Sequence, residues 1–113
     1  MRHTPAIWRW GSAGAFAFAL LVAPAEPGSD PAPNPEKLTH LVIQDCGGCH
    51  GLTLKGGLGK PLTAEHLSQW DSEQLASIIL NGVPGTPMPA WRPLMSEADA
   101  RWIADMLKQG RLQ

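Results

Sequence analysis

Residues 45–51 read DCGGCHG and contain both cysteines of the 113-residue chain. Two cysteines three apart, followed at once by histidine, suit three chemistries: a redox dithiol, half of a metal site, or the covalent attachment of a haem. In the third, Cys46 and Cys49 at a helix end face one side, and each thiol adds to one vinyl group of the porphyrin. His50, directly after the second cysteine, then points its imidazole at the iron. Gly47 and Gly48 let the backbone close against the porphyrin edge. Structural zinc usually takes four ligands, and no second cysteine pair exists to complete them. A thioredoxin-like dithiol sits in a βαβ context, and no β-rich stretch is visible here.

A six-coordinate iron needs a ligand opposite His50, and the candidates are His40, His66, Met88, Met95 and Met106. Met106 falls on the inner stripe of a C-terminal helix and Met95 just before its cap, both packing positions. His40 lies ten residues before His50 (50 − 40) on a helix and reads as surface. Met88 differs. In GTPMPAW, Thr86 and Met88 each precede a proline and are pushed to extended backbone, while Pro87 and Pro89 have fixed φ. That stiff segment presents one thioether from a loop, so His50 and Met88 are the predicted axial pair. Such ligation favours the ferrous state and raises the potential.

The elements that must hold these residues are modest. Asn34 with Pro35 forms a helix start, and Leu38, Leu41 and Val42 have the spacing of one buried face, so a first helix is predicted to run into Cys46. Residues 51–67 are glycine-rich and read as a loop broken at most by a short helical turn. Asp71 with Gln74 predicts a capping box for a helix that Asn81-Gly82 ends, with Leu75, Ile78 and Ile79 as its apolar stripe. Prolines 84, 87, 89 and 93 deny helix to the next stretch. Ser96 and Asp99 then cap a last helix whose inner face is Ala100, Ile103, Met106 and Leu107, stopped near Gly110. The predicted class is all-α, three to four helices with unusually long loops. A single core below ~70–80 residues rarely suffices without a staple, and a large apolar cofactor between the loops would supply one.

The N-terminus reads differently. Arg2 and Arg9 precede a charge-free run, GSAGAFAFALLVAPA, in which Ala23-Pro24-Ala25 fits a small-x-small cleavage site. Residues 1–25 are predicted to be a secretory signal, 26–34 a proline-rich linker, and 35–113 the functional domain. Export places the cysteines in an oxidising compartment, where a free pair closes to a disulfide unless something consumes it. After cleavage 7 basic and 10 acidic side chains remain, a net charge of −3 (7 − 10), which gives no reason to expect nucleic acid or an anionic membrane as partner.

A C-x-x-C-H after a first helix, a methionine in a proline-flanked loop and a final amphipathic helix resemble a class I monohaem cytochrome c. More narrowly, DCGGCHGLTLKGGLG and ILNGVPGTPMPAWRPLMSEADARWIADML are similar to the small NirC-type cytochromes encoded beside the cytochrome cd-type nitrite reductase. The resemblance implies one haem c held between loops, with first and last helices crossing at one edge. It also implies a periplasmic location and a role with nitrite reductase, as electron donor or in maturing its haem d-type cofactor. One feature departs from the class I pattern. The usual Gly-Pro after the haem histidine, whose proline carbonyl accepts from the imidazole, is here Gly59-Lys60-Pro61, so the acceptor is Pro61, a neighbouring carbonyl, or another group.

With both axial positions filled, iron has no place for substrate, and no acid–base or nucleophile constellation accompanies the motif. Electron transfer is the predicted function, without catalysis. A general periplasmic carrier to an oxidase or dehydrogenase is the alternative, and a labile Met88 would instead make a haem sensor or enzyme. Lys55, Lys60 and Arg92 are expected around the haem edge, where they would steer docking onto an acidic partner.

Overall fold

The computed structural model describes residues 23, 28 and 30–112 of the chain. The predicted signal lies almost wholly outside them. The described residues contain helices and no strands: α1 (Pro35–Leu41), a π-helical turn (Val42–Cys46), α2 (Gly47–His50), α3 (Ala64–Leu67), α4 (Ser72–Asn81) and α5 (Glu97–Lys108). The first three are continuous, so the domain has four helical bodies.

Local chemistry sets the boundaries. The Asn34 side chain accepts from the Lys37 N–H at 2.9 Å and Pro35 occupies the first turn of α1. Asp71 and Gln74 close a reciprocal capping box at 2.7 and 3.0 Å, as do Ser96 and Asp99 at 3.1 and 3.0 Å. Thr63 caps the short α3, the one helical turn within the glycine-rich stretch. Gly82 ends α4 at φ 69 and Gly110 follows α5 at φ 66.

α5 is the hub. It packs on α4, α3 and α1, giving the predicted contact between the first and last helices. Its buried residues are Ala100, Ile103, Ala104 and Leu107. Met106, predicted for the inner face, is only half-buried, and Ala104 takes that place. On α4 the buried face is Leu75, Ala76 and Leu80, while Ile78 and Ile79 are half-exposed. The predicted stripe is thus rotated, because small Ala76 sits with Leu80 one turn on at the core. Trp70, Trp91 and Trp102 pack partly buried around the core. The Lys108 ammonium donates to the Trp70 carbonyl, tying the end of α5 to the segment after α3. No helix among the described residues is long and apolar enough to cross a membrane.

Candidate haem site

The run from Pro35 to His50 carries the C-x-x-C-H motif, but not as one regular α-helix. The Gly47 N–H bonds the Val42 carbonyl five residues back, which adds one residue to that turn and sets the following side chains back by about 100°. In unbroken α-helix Cys49 would share the phase of buried Leu38, three turns earlier (49 − 38 = 11 residues at about 3.6 per turn). The π turn gives that phase to His50 instead. Accordingly Cys49 is exposed, Cys46 is half-buried against the core, and His50 is half-buried. No residue type in VIQDC marks such a turn, and sequence reasoning missed it.

Cys46 and Cys49 are not bridged to each other. Burial above all, then the neighbouring Asp45 carboxylate, pushes the Cys46 thiol up to about 11. It is therefore protonated at neutral pH, opposite to the lowered pKa of the nucleophilic cysteine in dithiol oxidoreductases.

His50 is held by its loop. Its Nδ1 lies 2.7 Å from the Lys60 carbonyl oxygen. A carbonyl can only accept, so Nδ1 carries the proton and Nε2 keeps its lone pair for a metal. This fixes the acceptor that the sequence left open: Lys60 stands directly after Gly59, where the class I pattern has proline, and its carbonyl serves. Gly59 makes the approach possible, since a Cβ there would lie 2.8 Å from His50 Nδ1 and 2.9 Å from Cε1.

The loop closes on the motif by backbone bonds: Gly56 N–H to the His50 carbonyl and Gly59 N–H to the Cys49 carbonyl, both 2.8 Å. Gly51 and Gly56 have positive φ (90 and 107), and a Cβ on Gly51 would meet the Gly56 carbonyl oxygen at 2.5 Å. Leu54 takes φ 58 between them, a conformation costing a leucine roughly 1–2 kcal/mol, yet its side chain is fully buried. Burying a leucine is worth about 1.5–3 kcal/mol, enough to offset that strain. The Thr-Leu-Lys-Gly-Gly run is thus the sequence of a loop folded flat on Cys49 and His50.

The second loop is built on the end of α4. Gly82 N–H bonds the Ile78 carbonyl at 2.8 Å. The chain then leaves for residues 83–90 and returns with Trp91 N–H on Ile79 and Arg92 N–H on Leu80, both 3.1 Å. Inside the loop the Val83 N–H donates to the Met88 carbonyl at 3.2 Å and the Met88 N–H to Thr86 Oγ1 at 3.3 Å. Both backbone groups of Met88 are therefore committed, while its half-exposed side chain forms no hydrogen bond. No hydrogen bond joins Met88 to the 46–50 segment. Of the other candidates, Met95 is buried in the core, Met106 packs beside it and His40 is exposed. His66 packs against Trp70 with the rings tilted by 48° and centroids 5.9 Å apart, its Nε2 buried and unpartnered.

These residues fit a haem. Two unbridged cysteines and an imidazole with a free Nε2 share one short helical segment. The two loops expose large apolar side chains, Leu52 at 68% and Leu58 at 96% in the first and Val83 at 39% in the second, with Leu94 at 70% just after it. Lys55 and Lys60 are exposed and unpaired by any acidic group among the described residues, whereas Arg92 is engaged with Asn81 and Glu97.

Comparison with known proteins agrees with this geometry. Residues 33–107 match the family model described as cytochrome C oxidase, cbb3-type, subunit III. The chain is 54% identical over 93 residues to cytochrome c55X of Paracoccus denitrificans, covering 82% of this chain and 90% of the relative. Among solved structures, the c-type cytochrome NirC superposes with a TM-score of 0.68 at 47% identity, over 71% of this chain and 98% of that one. Dihydro-heme d1 dehydrogenase NirN in complex with DHE gives a TM-score of 0.59 at 34% identity, over 63% of this chain and 15% of that one. The C-x-x-C-H of Cys46, Cys49 and His50, a histidine aimed by a backbone carbonyl and a helical domain shared with these proteins lead to one conclusion: the chain belongs to the cytochrome c family and carries one covalently bound haem c.

Proposed function

We propose that this chain is a periplasmic electron carrier of denitrification whose haem iron is held by His50 and Met88. It either donates electrons to cytochrome cd-type nitrite reductase or assists maturation of that enzyme's haem d-type cofactor. The observation that carries the reading is the pair of rigid loops. One fixes the His50 imidazole through Lys60, and the other fixes the backbone of Met88 while leaving its thioether unbonded. Likeness to a NirC cytochrome, and to part of a dihydro-heme d1 dehydrogenase, supports the denitrification setting. The second likeness favours the maturation arm.

When bound, the haem supplies a one-electron couple. Cys46 and Cys49 would anchor it, and the His50 Nδ1–H donates to the Lys60 carbonyl, which raises the basicity of Nε2. Met88 would hold the iron together with His50, so that neither oxidation state would need a new ligand and reorganisation would stay small. Exposed Leu52 and Leu58 would offer apolar surface to the haem, and Lys55 and Lys60 present positive charge on the same loop.

Stopped-flow mixing of the reduced protein with purified oxidised nitrite reductase tests the role. Transfer that is fast and weakens with salt is expected of a donor. Slow, salt-independent transfer removes the donor arm. For ligation, the ferric protein is expected to show the far-red charge-transfer band of a methionine–iron bond, lost in Met88→Ala together with gain of rapid CO binding to the reduced form. Unaltered spectra in Met88→Ala would reject Met88 as ligand and favour a sensor or enzyme.

A further inference from the structure

The return foot of the methionine loop carries a polar network that the sequence gives no reason to expect. Arg92 reaches back to Asn81, the last residue of α4, with Nε at 3.4 Å and Nη2 at 3.2 Å from its Oδ1. Its Nη1 reaches forward to Glu97 Oε1, at the start of α5, at 3.2 Å. Asn81 is itself anchored, its Nδ2 donating to the Ser77 carbonyl at 3.0 Å and to Ser77 Oγ at 3.2 Å. Since Nδ2 donates to Ser77, the amide oxygen is left to accept from the guanidinium, and the orientation is self-consistent.

We propose that Arg92 is a positioning residue for Met88, a clamp that keeps the methionine loop closed over the iron. The inference rests on Met88 being the axial ligand. Residues 83–90 leave α4 at Gly82 and return through the Trp91 and Arg92 N–H groups. Opening the loop must release that return foot, and Arg92 is the only side chain of residues 83–92 that bonds both α4 and α5. The wide, rigid fork of a planar guanidinium reaches both partners at once, a span that a compact ammonium covers less well. The network is exposed, 52% for Arg92 and 72% for Glu97, so its contribution to global stability is small. Its effect falls on the local opening of one loop, a lower-energy event than unfolding.

The clamp therefore sets how easily an outside ligand displaces Met88. A competitor binds only when the loop is open, so its apparent Kd falls in proportion as the open fraction rises. The test is titration of the ferric holoprotein with imidazole, following loss of the far-red methionine–iron band, alongside thermal melting of the helices. Arg92→Ala is expected to lower the apparent Kd for imidazole about fivefold with little change in melting midpoint. Asn81→Ala is expected to do much the same, and the double variant no more than either, as members of one unit. Arg92→Lys is expected to lie between wild type and Arg92→Ala.

An apparent Kd within twofold of wild type in Arg92→Ala overturns the clamp. So do effects of Asn81→Ala and Arg92→Ala that multiply, or a melting shift large enough to account for the change. A wild-type ferric protein without the far-red band, unchanged by Met88→Ala, overturns the ligation reading and the clamp with it. An intact wild-type band with an indifferent Arg92→Ala overturns the clamp alone.

Discussion

Gly82→Ala probes the seat of the methionine loop most directly. Gly82 sits at φ 69 and ψ −171, a region essentially reserved to glycine, where another residue incurs roughly 1–3 kcal/mol. An added Cβ would also lie 2.7 Å from the Met88 carbonyl oxygen, 2.8 Å from the Ala90 nitrogen and 2.8 Å from the Pro89 carbonyl carbon. All three are backbone atoms, so no side chain can swing aside and the loop must lift off α4. Lifting it strains the bonds from Val83 to Met88 and from Trp91 to Ile79, each worth about 0.5–1.5 kcal/mol net. The sum is about 3 kcal/mol, a fall in melting midpoint of about 10–20 °C for a domain of this size. Far-UV circular dichroism on the holoprotein reads the helices, and the ferric far-red band reads the ligand; the band should fade at lower temperature than the helices. Gly85→Ala is the control. Gly85 also has positive φ (78), but nothing lies within 4 Å of its Cβ, so only the backbone conformation costs and the fall should be about half as large. A Gly82→Ala protein melting within about 2 °C of wild type with its band intact would refute the packing of the loop on Gly82.

Gly59→Ala places a methyl group against the His50 ring and is expected to lengthen the Nδ1 bond to Lys60. That lowers imidazole basicity and raises the reduction potential; a voltammetric midpoint equal to wild type would count against the Lys60 contact. In the haem-free chain, iodoacetamide should label exposed Cys49 long before Cys46. Raising the Cys46 thiol from 9.0 to about 11 leaves about one-hundredth of the thiolate at neutral pH, and equal labelling rates would show that Cys46 is not buried as described. Lys55→Glu/Lys60→Glu reverses two unpaired charges beside the motif. It should slow electron transfer to an acidic partner about tenfold or more at low ionic strength and converge on wild type at high salt, and an unchanged rate and salt dependence would remove these lysines from docking.

Much of the fold was legible because its signals are local. Asn34, the Asp71–Gln74 and Ser96–Asp99 boxes and Gly82 are capping residues whose partners lie within a turn, so the sequence alone locates the helix ends. Cys46, Cys49 and His50 are equally visible as a motif, since one short segment carries them, and their roles at the haem are proposals. What stayed hidden depends on residues far apart in sequence. The π turn follows from packing, with no residue of VIQDC demanding it. The acceptor for His50 is a main-chain oxygen, which has no letter of its own. Arg92 read as a free cation for docking because Asn81, eleven residues away (92 − 81), becomes its partner only once the loop has closed. The α4 stripe rotated for a similar reason: periodicity weighs Ile78 above Ala76, but α5 selects the smaller side chain at the contact.

The bond between His50 and Lys60 has a consequence for how this position can vary. Because the acceptor is the peptide oxygen, any amino acid at 60 that keeps the backbone path supplies it, and mutation of the side chain cannot abolish it. Proline at this point would stiffen the loop, but it leaves the surface without a charge. Here the stiffness resides in neighbouring glycine contacts and in the Leu62 N–H bond to the Leu54 carbonyl. Residue 60 is thereby released to evolve with whatever surface the protein meets. On the proposed ligation and docking roles, tuning of the metal and choice of partner meet at one residue yet can be selected independently: the main chain would serve the iron and the side chain the encounter.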